Sequence, residues 1–199
     1  SPCPGTFSLS IAAPPPANDE CANATSLPCG SSNIFGTTDG ATDIVHGTGC
    51  TMSNYGVWYT FTGDGQQTTI TSDADTGFDH EMAIASGSCG SLTNISCHDS
   101  GLGGGVETAT FITTVGTQYY VYIAYYGTGA TMGDFTISRT CTPTTPPAND
   151  NCTGAISMTV NADLNCGVVT PGNLSFATAS GTPAVYPCGA GNPDDDVWF

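Results

Sequence analysis

Lysine is absent from the chain, and arginine occurs once, at Arg139. Against 17 acidic residues this leaves a formal net charge of −16. A nucleic-acid binder must neutralise phosphates with basic side chains, and adhesion to an anionic membrane surface needs the same groups. Both partners are excluded. Phosphate-handling enzymes lose their usual lysine. Long apolar runs are also missing: Tyr119 to Tyr126 (YYVYIAYY) is the longest and is far too short for a membrane-spanning helix. Helix formers are scarce, with glutamate only at Glu20, Glu81 and Glu107. The abundant Thr, Ser and Gly favour strands and turns, so the default is an all-β chain.

Low charge does not mean disorder here. Charged residues make up 9% of the chain but hydrophobic residues 39%, which is ordinary for a folded domain. No Cys-x-x-Cys pair occurs among the ten cysteines, which argues for disulfides rather than zinc sites. The expected compartment is oxidising: extracellular, cell-surface or periplasmic. No secretory segment is visible, so the chain reads as mature or as an interior stretch.

The sequence repeats itself. Pro15-Pro16-Ala17-Asn18-Asp19-Glu20-Cys21 recurs as Pro146-Pro147-Ala148-Asn149-Asp150-Asn151-Cys152. Each copy continues through a Cys-Gly step (Cys29-Gly30, Cys166-Gly167) and another cysteine (Cys50, Cys188) to a Val-Trp-aromatic strand, at Val57-Trp58-Tyr59 and Val197-Trp198-Phe199. Gly133-Asp134-Phe135-Thr136-Ile137-Ser138 precedes the second copy much as Gly5-Thr6-Phe7-Ser8-Leu9-Ser10 precedes the first. Residues 1–13 therefore read as the last strand of a preceding repeat, 14–143 as a complete repeat, and 144–199 as the start of another. Such ends would expose strand edges. Either the chain is a window on a longer array, or neighbouring subunits complete it by strand addition with Phe7, Leu9 and Ile11 as the docking strand. Both imply that its partner is itself.

Within 14–143 the strand signal is period-2. Val57, Tyr59 and Phe61 alternate with Trp58, Thr60 and Thr62; Glu107, Ala109 and Phe111 alternate with Thr108, Thr110 and Ile112. Val121, Ile123 and Tyr125 alternate with Tyr120, Tyr122 and Ala124, so both faces are apolar and this strand should be central. About eight short strands with Gly- and Asp-rich turns predict a disulfide-stabilised β-sandwich of jelly-roll type. Spacing does not fix disulfide connectivity. Cys89 and Cys97 flank one turn and form the expected pair, followed by Cys29–Cys50 with its counterpart Cys166–Cys188, and Cys21–Cys141. Cys3 and Cys152 are left to partners elsewhere.

PPAND-x-C, GVWYTFTGDG (Gly56 to Gly65), FDHEMAIASGSCGSL (Phe78 to Leu92), the Cys97-x-Asp99 step, TQYYVYIAYYG (Thr117 to Gly127) and GDFTIS together resemble secreted bacterial tandem β-sandwich modules. Those modules are similar to pre-peptidase C-terminal and CUB-like domains. The resemblance implies non-catalytic repeats of large surface or secreted proteins. Two departures stand out: Ser72-Asp73 occupies a place where such modules often carry a cysteine, and the acidic pair expected after Cys97 is reduced to Asp99.

Carboxylates are the abundant functional group. Asp73, Asp75, Asp79 and Glu81 cluster, and Asp99 follows a strand later. Ca²⁺ takes six to eight oxygen ligands, so loop and strand-end acids are candidates for a site; the alternative is acids that cap turns in solvent. The family resemblance points to Asp79 and Asp99 first. Asp194-Asp195-Asp196 has no counterpart in the first copy, where Asn54-Tyr55-Gly56 stands, and is set aside. His80-Glu81 opens like a zinc-protease motif, but Ile84 stands where the second histidine is required. Gly87-Ser88-Cys89-Gly90 is not a nucleophile elbow, and Gly101 to Gly105 lacks the lysine and helix of a phosphate loop. His80 with Asp79 or Asp99 remains the one acid–base pairing the spacing permits. Sequons at Asn23, Asn94, Asn151 and Asn173 offer glycan sites. No enzyme emerges. The expected function is a structural module of an extracellular filament or surface adhesin; the alternative is a carbohydrate- or protein-binding accessory module of a secreted hydrolase.

Overall fold

The computed structural model describes residues 13–161, 167–178 and 197–199. Phe7, Leu9 and Ile11, the cysteines at 3, 166 and 188, and the 194–196 acidic run lie outside the described residues. The chain divides into two units, Ser1–Pro143 and Thr144–Phe199.

The first unit is a β-sandwich. Its strands are β1 (Thr25–Ser26), β2 (Ser31–Thr37), β3 (Met52–Thr62), β4 (Gln67–Ala74), β5 (His80–Ser88), β6 (Ser91–His98), β7 (Val106–Ile112), β8 (Gln118–Tyr126) and β9 (Asp134–Thr142). One sheet runs β1-β3-β8-β5-β6, the other β2-β9-β4-β7. All pairs are antiparallel except the short β1–β3 ladder. No α-helix occurs among the described residues; one-turn 3-10 helices occupy Cys21–Asn23 and, in the second unit, Cys152–Gly154.

Strand periodicity builds the core. Val57, Tyr59 and Phe61 of β3, Met82 and Ile84 of β5, and Val121 and Ile123 of β8 meet Ile70, Ala109, Phe135 and Ile137 from the facing sheet. The alternate residues of the first sheet, Trp58, Ala83, Tyr122 and Ala124, form a second buried cluster with Cys50 and Met52 on its outer face. Strand β8 lies between β3 and β5, as its two apolar faces predict. Sequence periodicity finds the edge strand β7 but misses the other three edges. Strand β1 is two residues long, and β2 (SSNIFGT) and β6 (SLTNISCH) carry little hydrophobic alternation because an edge strand has few neighbours to cover.

Arg139 is buried at 2% exposure. Its guanidinium lies 3.7 Å from the Phe61 ring centroid. Its Nε donates to Thr68 Oγ1 at 2.9 Å and Nη1 to the Leu27 carbonyl at 3.0 Å. The only arginine is therefore an internal tie between β9, β4 and the β1–β2 segment, and of the surface acids Asp64 feels its charge.

The disulfides differ from all three pairings expected for the first repeat. They are Cys21–Cys89, Cys29–Cys141 and Cys50–Cys97. Cys89 sits at the β5–β6 turn, whereas Cys97 ends β6 opposite Ala83. A strand of that length separates them by roughly 20 Å, far beyond the ~7 Å limit on a disulfide's Cα separation. Cys29 precedes β2, whose register places Ser31 opposite Arg139, so Cys29 falls beside Cys141 of β9. Cys50 and Cys21 instead pack with the outer-face cluster of the other sheet. Cys29–Cys50 and Cys21–Cys141 would each have to cross the sandwich. Connectivity follows sheet register, which sequence separation does not encode.

Candidate functional site

Three arrangements concentrate polar chemistry. The first is the PPAND motif itself. In the first unit Asn18 Nδ2 donates to the Trp58 carbonyl at 2.8 Å, and the Trp58 amide donates to the Asn18 carbonyl at 2.9 Å. Asp19 is buried, and its carboxylate accepts the Thr42 amide at 2.9 Å and the Thr42 hydroxyl at 2.5 Å. The second unit makes the same bonds. Asn149 Nδ2 donates to the Trp198 carbonyl at 2.9 Å, the Trp198 amide to the Asn149 carbonyl at 2.8 Å, and Thr178 supplies amide and hydroxyl to Asp150, both at 2.6 Å. The asparagine extends the tryptophan strand by one rung, and the aspartate ties down the loop that follows β2 in the first unit. In each unit the threonine follows a buried alanine, Ala41 or Ala177.

The second arrangement is acidic. Asp73, Asp75 and Asp99 are exposed, Asp79 is half-buried and Glu81 is buried on β5. Burial pushes the Glu81 carboxyl up to about 7, with Asp99 and Glu107 adding repulsion. Asp99 is also raised, by desolvation first and then by Asp79 and Glu107. Asp79, Glu81, Asp99 and Glu107 thus share one field, and Glu107, Asp73 and Asp79 also act on His80. No three of these carboxylates converge. The described sets of three ligand atoms within 4.8 Å are Cys29, Asp64 and Cys141, and Cys50, Glu81 and Cys97, whose sulfurs are bound in disulfides.

Glu107 is the acid that motif reasoning passed over. It is fully buried, and its carboxylate accepts the Ser100 and Gly101 amides at 2.8–2.9 Å. Two successive backbone N–H groups form an anion nest, and the chain fills it with its own side chain. The signal was available: Glu107 alternates in step with Ala109 and Phe111, an acid on the core-facing side of a strand.

The histidines are tied internally. His80 is 2% exposed, stacks between Phe78 and Phe135 and bonds Ser72 at 2.7 Å rather than Asp79 or Asp99. Burial holds its pKa below the ordinary value. Ser72 is fully buried, so this serine–histidine contact has no route to a substrate. His98 bonds Ser96, two residues away on the same edge strand, at 2.8 Å.

The third arrangement is a cleft of about 470 Å³ on the outer face of the first sheet. Trp58 floors it; Ile44, Val45 and His46 from the β2–β3 loop and Ser91 and Leu92 from β6 line it beside Cys21 of the Cys21–Cys89 bridge. Trp58 meets Tyr120 edge-on, and His46 stacks on Tyr122 at 4.8 Å. Burial lowers the His46 pKa, which favours the uncharged ring. The aromatic strand is thereby covered on both faces, and Trp58 and Tyr122 are 3% and 1% exposed, so neither offers an open stacking platform.

Of the sequons, Asn23, Asn151 and Asn173 are exposed. Asn94 is exposed as a residue, but its Nδ2 donates to the Thr48 carbonyl at 2.8 Å and lies 3.2 Å from Cys50 Sγ. A glycan on that nitrogen would compete with this bracing of the Cys50–Cys97 bridge.

No family model matches the chain, and no curated protein matches it. Among solved structures, the pre-peptidase C-terminal domain of a collagenase from Bacillus anthracis is 17% identical, with a TM-score of 0.40 over 58% of this chain and 93% of that one. PliG from Aeromonas hydrophila, a periplasmic inhibitor of g-type lysozyme, is 12% identical, with a TM-score of 0.38 over 60% of this chain and 97% of that one. The resemblance to pre-peptidase C-terminal domains is distant and partial.

Proposed function

We propose that the chain belongs to a non-catalytic extracellular protein built from tandem β-sandwich modules, whose task is structural: forming or decorating a surface filament or adhesin. The repeated clasp carries this reading. In each unit the asparagine bonds the backbone of a tryptophan and the aspartate bonds a threonine, all within the unit itself. A recurring motif that works inwards serves to build modules. The buried histidine–serine pair and the self-filled nest favour a scaffold over an enzyme, and three disulfides suit an oxidising exterior. The proline-rich stretches Pro14 to Pro16 and Pro143 to Pro147 would act as stiff spacers. Sedimentation of the whole chain over a range of concentration and salt tests the proposal. An assembly module self-associates, more strongly as salt screens the −16 charge. A chain that stays monomeric throughout contradicts it.

The cleft over Trp58 favours a second reading, an accessory module that binds carbohydrate or protein. Its discriminating experiment is a glycan array probed with the whole chain, with and without chelator. Saturable sugar binding supports this reading. Loss of that binding on chelation would implicate calcium drawn in by Asp79 and Asp99.

A further inference from the structure

Each disulfide of the first unit presents one exposed cysteine. Cys89, Cys29 and Cys97 are exposed; their partners Cys21 and Cys141 are half-buried and Cys50 is buried. Access to an external thiol therefore does not choose among the bridges. A thiolate attacks one sulfur and expels the other, so the groups that face the sulfurs decide the rate. A negative charge repels the attacker, and a hydrogen-bond donor steadies the thiolate that leaves.

The three bridges differ in those groups. At Cys29–Cys141 a carboxylate oxygen of Asp64 lies 3.7 Å from Sγ of the exposed Cys29. Hydrogen bonding, from the Gln66 amide first, holds the Asp64 carboxyl below its ordinary value, so an attacker meets a full negative charge. At Cys21–Cys89 no side-chain hydrogen bond among the described residues reaches either sulfur. At Cys50–Cys97 the Asn94 side chain is wedged against the bridge. Its Nδ2 lies 3.2 Å from Cys50 Sγ and 3.5 Å from Cys97 Sγ. The same nitrogen donates to the Thr48 carbonyl at 2.8 Å, which identifies it as the donor end of the amide and leaves its second hydrogen for the sulfurs.

A bulge in edge strand β6 creates this contact. Ser96 pairs with Ile84 but Asn94 with Ala85, so Ile95 is the extra residue. Asn94 and Cys97, three residues apart, would face opposite ways on a regular strand. With the bulge they stand opposite Ala85 and Ala83 and share the outer face of the sheet. The buried Glu81 carboxyl also lies within 4.8 Å of both sulfurs; burial pushes it up to about 7, so it opposes a thiolate less than Asp64 does.

We propose that Cys97 is a thiol-modification site, where a small thiol of the cysteine or glutathione class opens the Cys50–Cys97 bridge ahead of the other two. The thiolate sulfur of the reagent bonds to Cys97 Sγ as the Cys97–Cys50 bond breaks. The electron pair leaves on Cys50 Sγ, which accepts a hydrogen bond from Asn94 Nδ2 and then a proton from water. One disulfide replaces another, so no oxidant is consumed. Attack by Cys50 on the mixed disulfide expels the reagent and restores the bridge, which makes the modification reversible.

Peptide mapping of the whole folded chain near neutral pH tests the assignment. Free thiols are first blocked with iodoacetamide and excess glutathione is added. Samples taken over time are quenched in acid and labelled with N-ethylmaleimide. The first product should carry glutathione on Cys97 and maleimide on Cys50, with Cys21–Cys89 and Cys29–Cys141 intact. Asn94→Asp is nearly isosteric, removes the donor and adds a charge; it should slow opening of this bridge by about tenfold or more. Loss of bracing alone would loosen β6 and speed the opening, so the direction of change separates a donor from a merely structural residue. The wild-type map stands whether or not the variant folds. Four results overturn the inference: either other bridge opens first, glutathione is found on Cys50, no bridge opens in the folded chain, or a folded Asn94→Asp chain opens at the wild-type rate or faster.

Discussion

Replacing Asp19 with alanine isolates the clasp. The carboxylate accepts one amide and one hydroxyl from Thr42 and is itself 7% exposed. Hydrogen bonds to a charged acceptor contribute about 1.5–3 kcal/mol each, and the removal leaves both Thr42 donors without this partner. Against this, the unfolded chain no longer regains the hydration of a buried carboxylate, which offsets part of the loss. The net expectation is a destabilisation of about 2–4 kcal/mol, a large fraction of a typical domain's stability. Asn at this position keeps one acceptor for the amide, and the hydroxyl can rotate to accept from the new NH₂; Asp19→Asn should cost about 1 kcal/mol. Urea unfolding followed by Trp58 fluorescence reads the change, because the loop that Thr42 anchors covers that indole. Asp150→Ala, in the other unit, should leave this transition in place. An Asp19→Ala midpoint within about 0.5 kcal/mol of wild type, the scatter of an ordinary surface substitution, would refute the reasoning.

Glu107→Gln keeps one acceptor oxygen but removes the charge that fills the nest, and should destabilise by about 1–2 kcal/mol, with faster amide exchange at Ser100 and Gly101 as the local readout. Glu81 titrates near 7 when folded against an ordinary 4.5, so the folded state holds a proton that the unfolded state has released between those values. Its contribution is fully present below about 4.5 and is lost as the pH rises through about 7. Glu81→Gln should therefore raise the thermal midpoint at pH 8 relative to wild type and leave it unchanged at pH 4; equal effects at both would contradict the assignment. The disulfides close spans of 47, 68 and 112 residues. In the chain-entropy model each is worth about 4–5 kcal/mol, so the Cys29→Ala/Cys141→Ala double variant should lose most of the unit's stability, and peptide mapping should recover Cys21–Cys89 in place of Cys89–Cys97.

Much of the fold was legible because strand alternation is a local property. The two apolar faces of Tyr119 to Tyr126 place β8 at the centre of its sheet, and the faces of Val57 to Phe61 separate the two buried clusters correctly. What sequence could not supply depends on register between distant strands. Cys29 reaches Cys141 only because Ser31 faces Arg139, and Phe35 points outwards only because it faces Thr136. The PPAND motif was legible as a repeat but not as a clasp, since its partners, Thr42 and Trp58, are aligned by folding alone. Composition counts Arg139 but does not place it; the ring of Phe61 and the Leu27 carbonyl hold it inside. The −16 charge gains a structural companion: with its one arginine buried, the module offers no exposed lysine or arginine to offset its acids.

Electron microscopy of the native material bears most directly on the central claim that this is a structural module used in repetition. The account predicts a regular fibre or array whose axial repeat matches one or two β-sandwich modules. Dispersed single particles with no lattice or filament, under salt that screens the acidic surface, would contradict it.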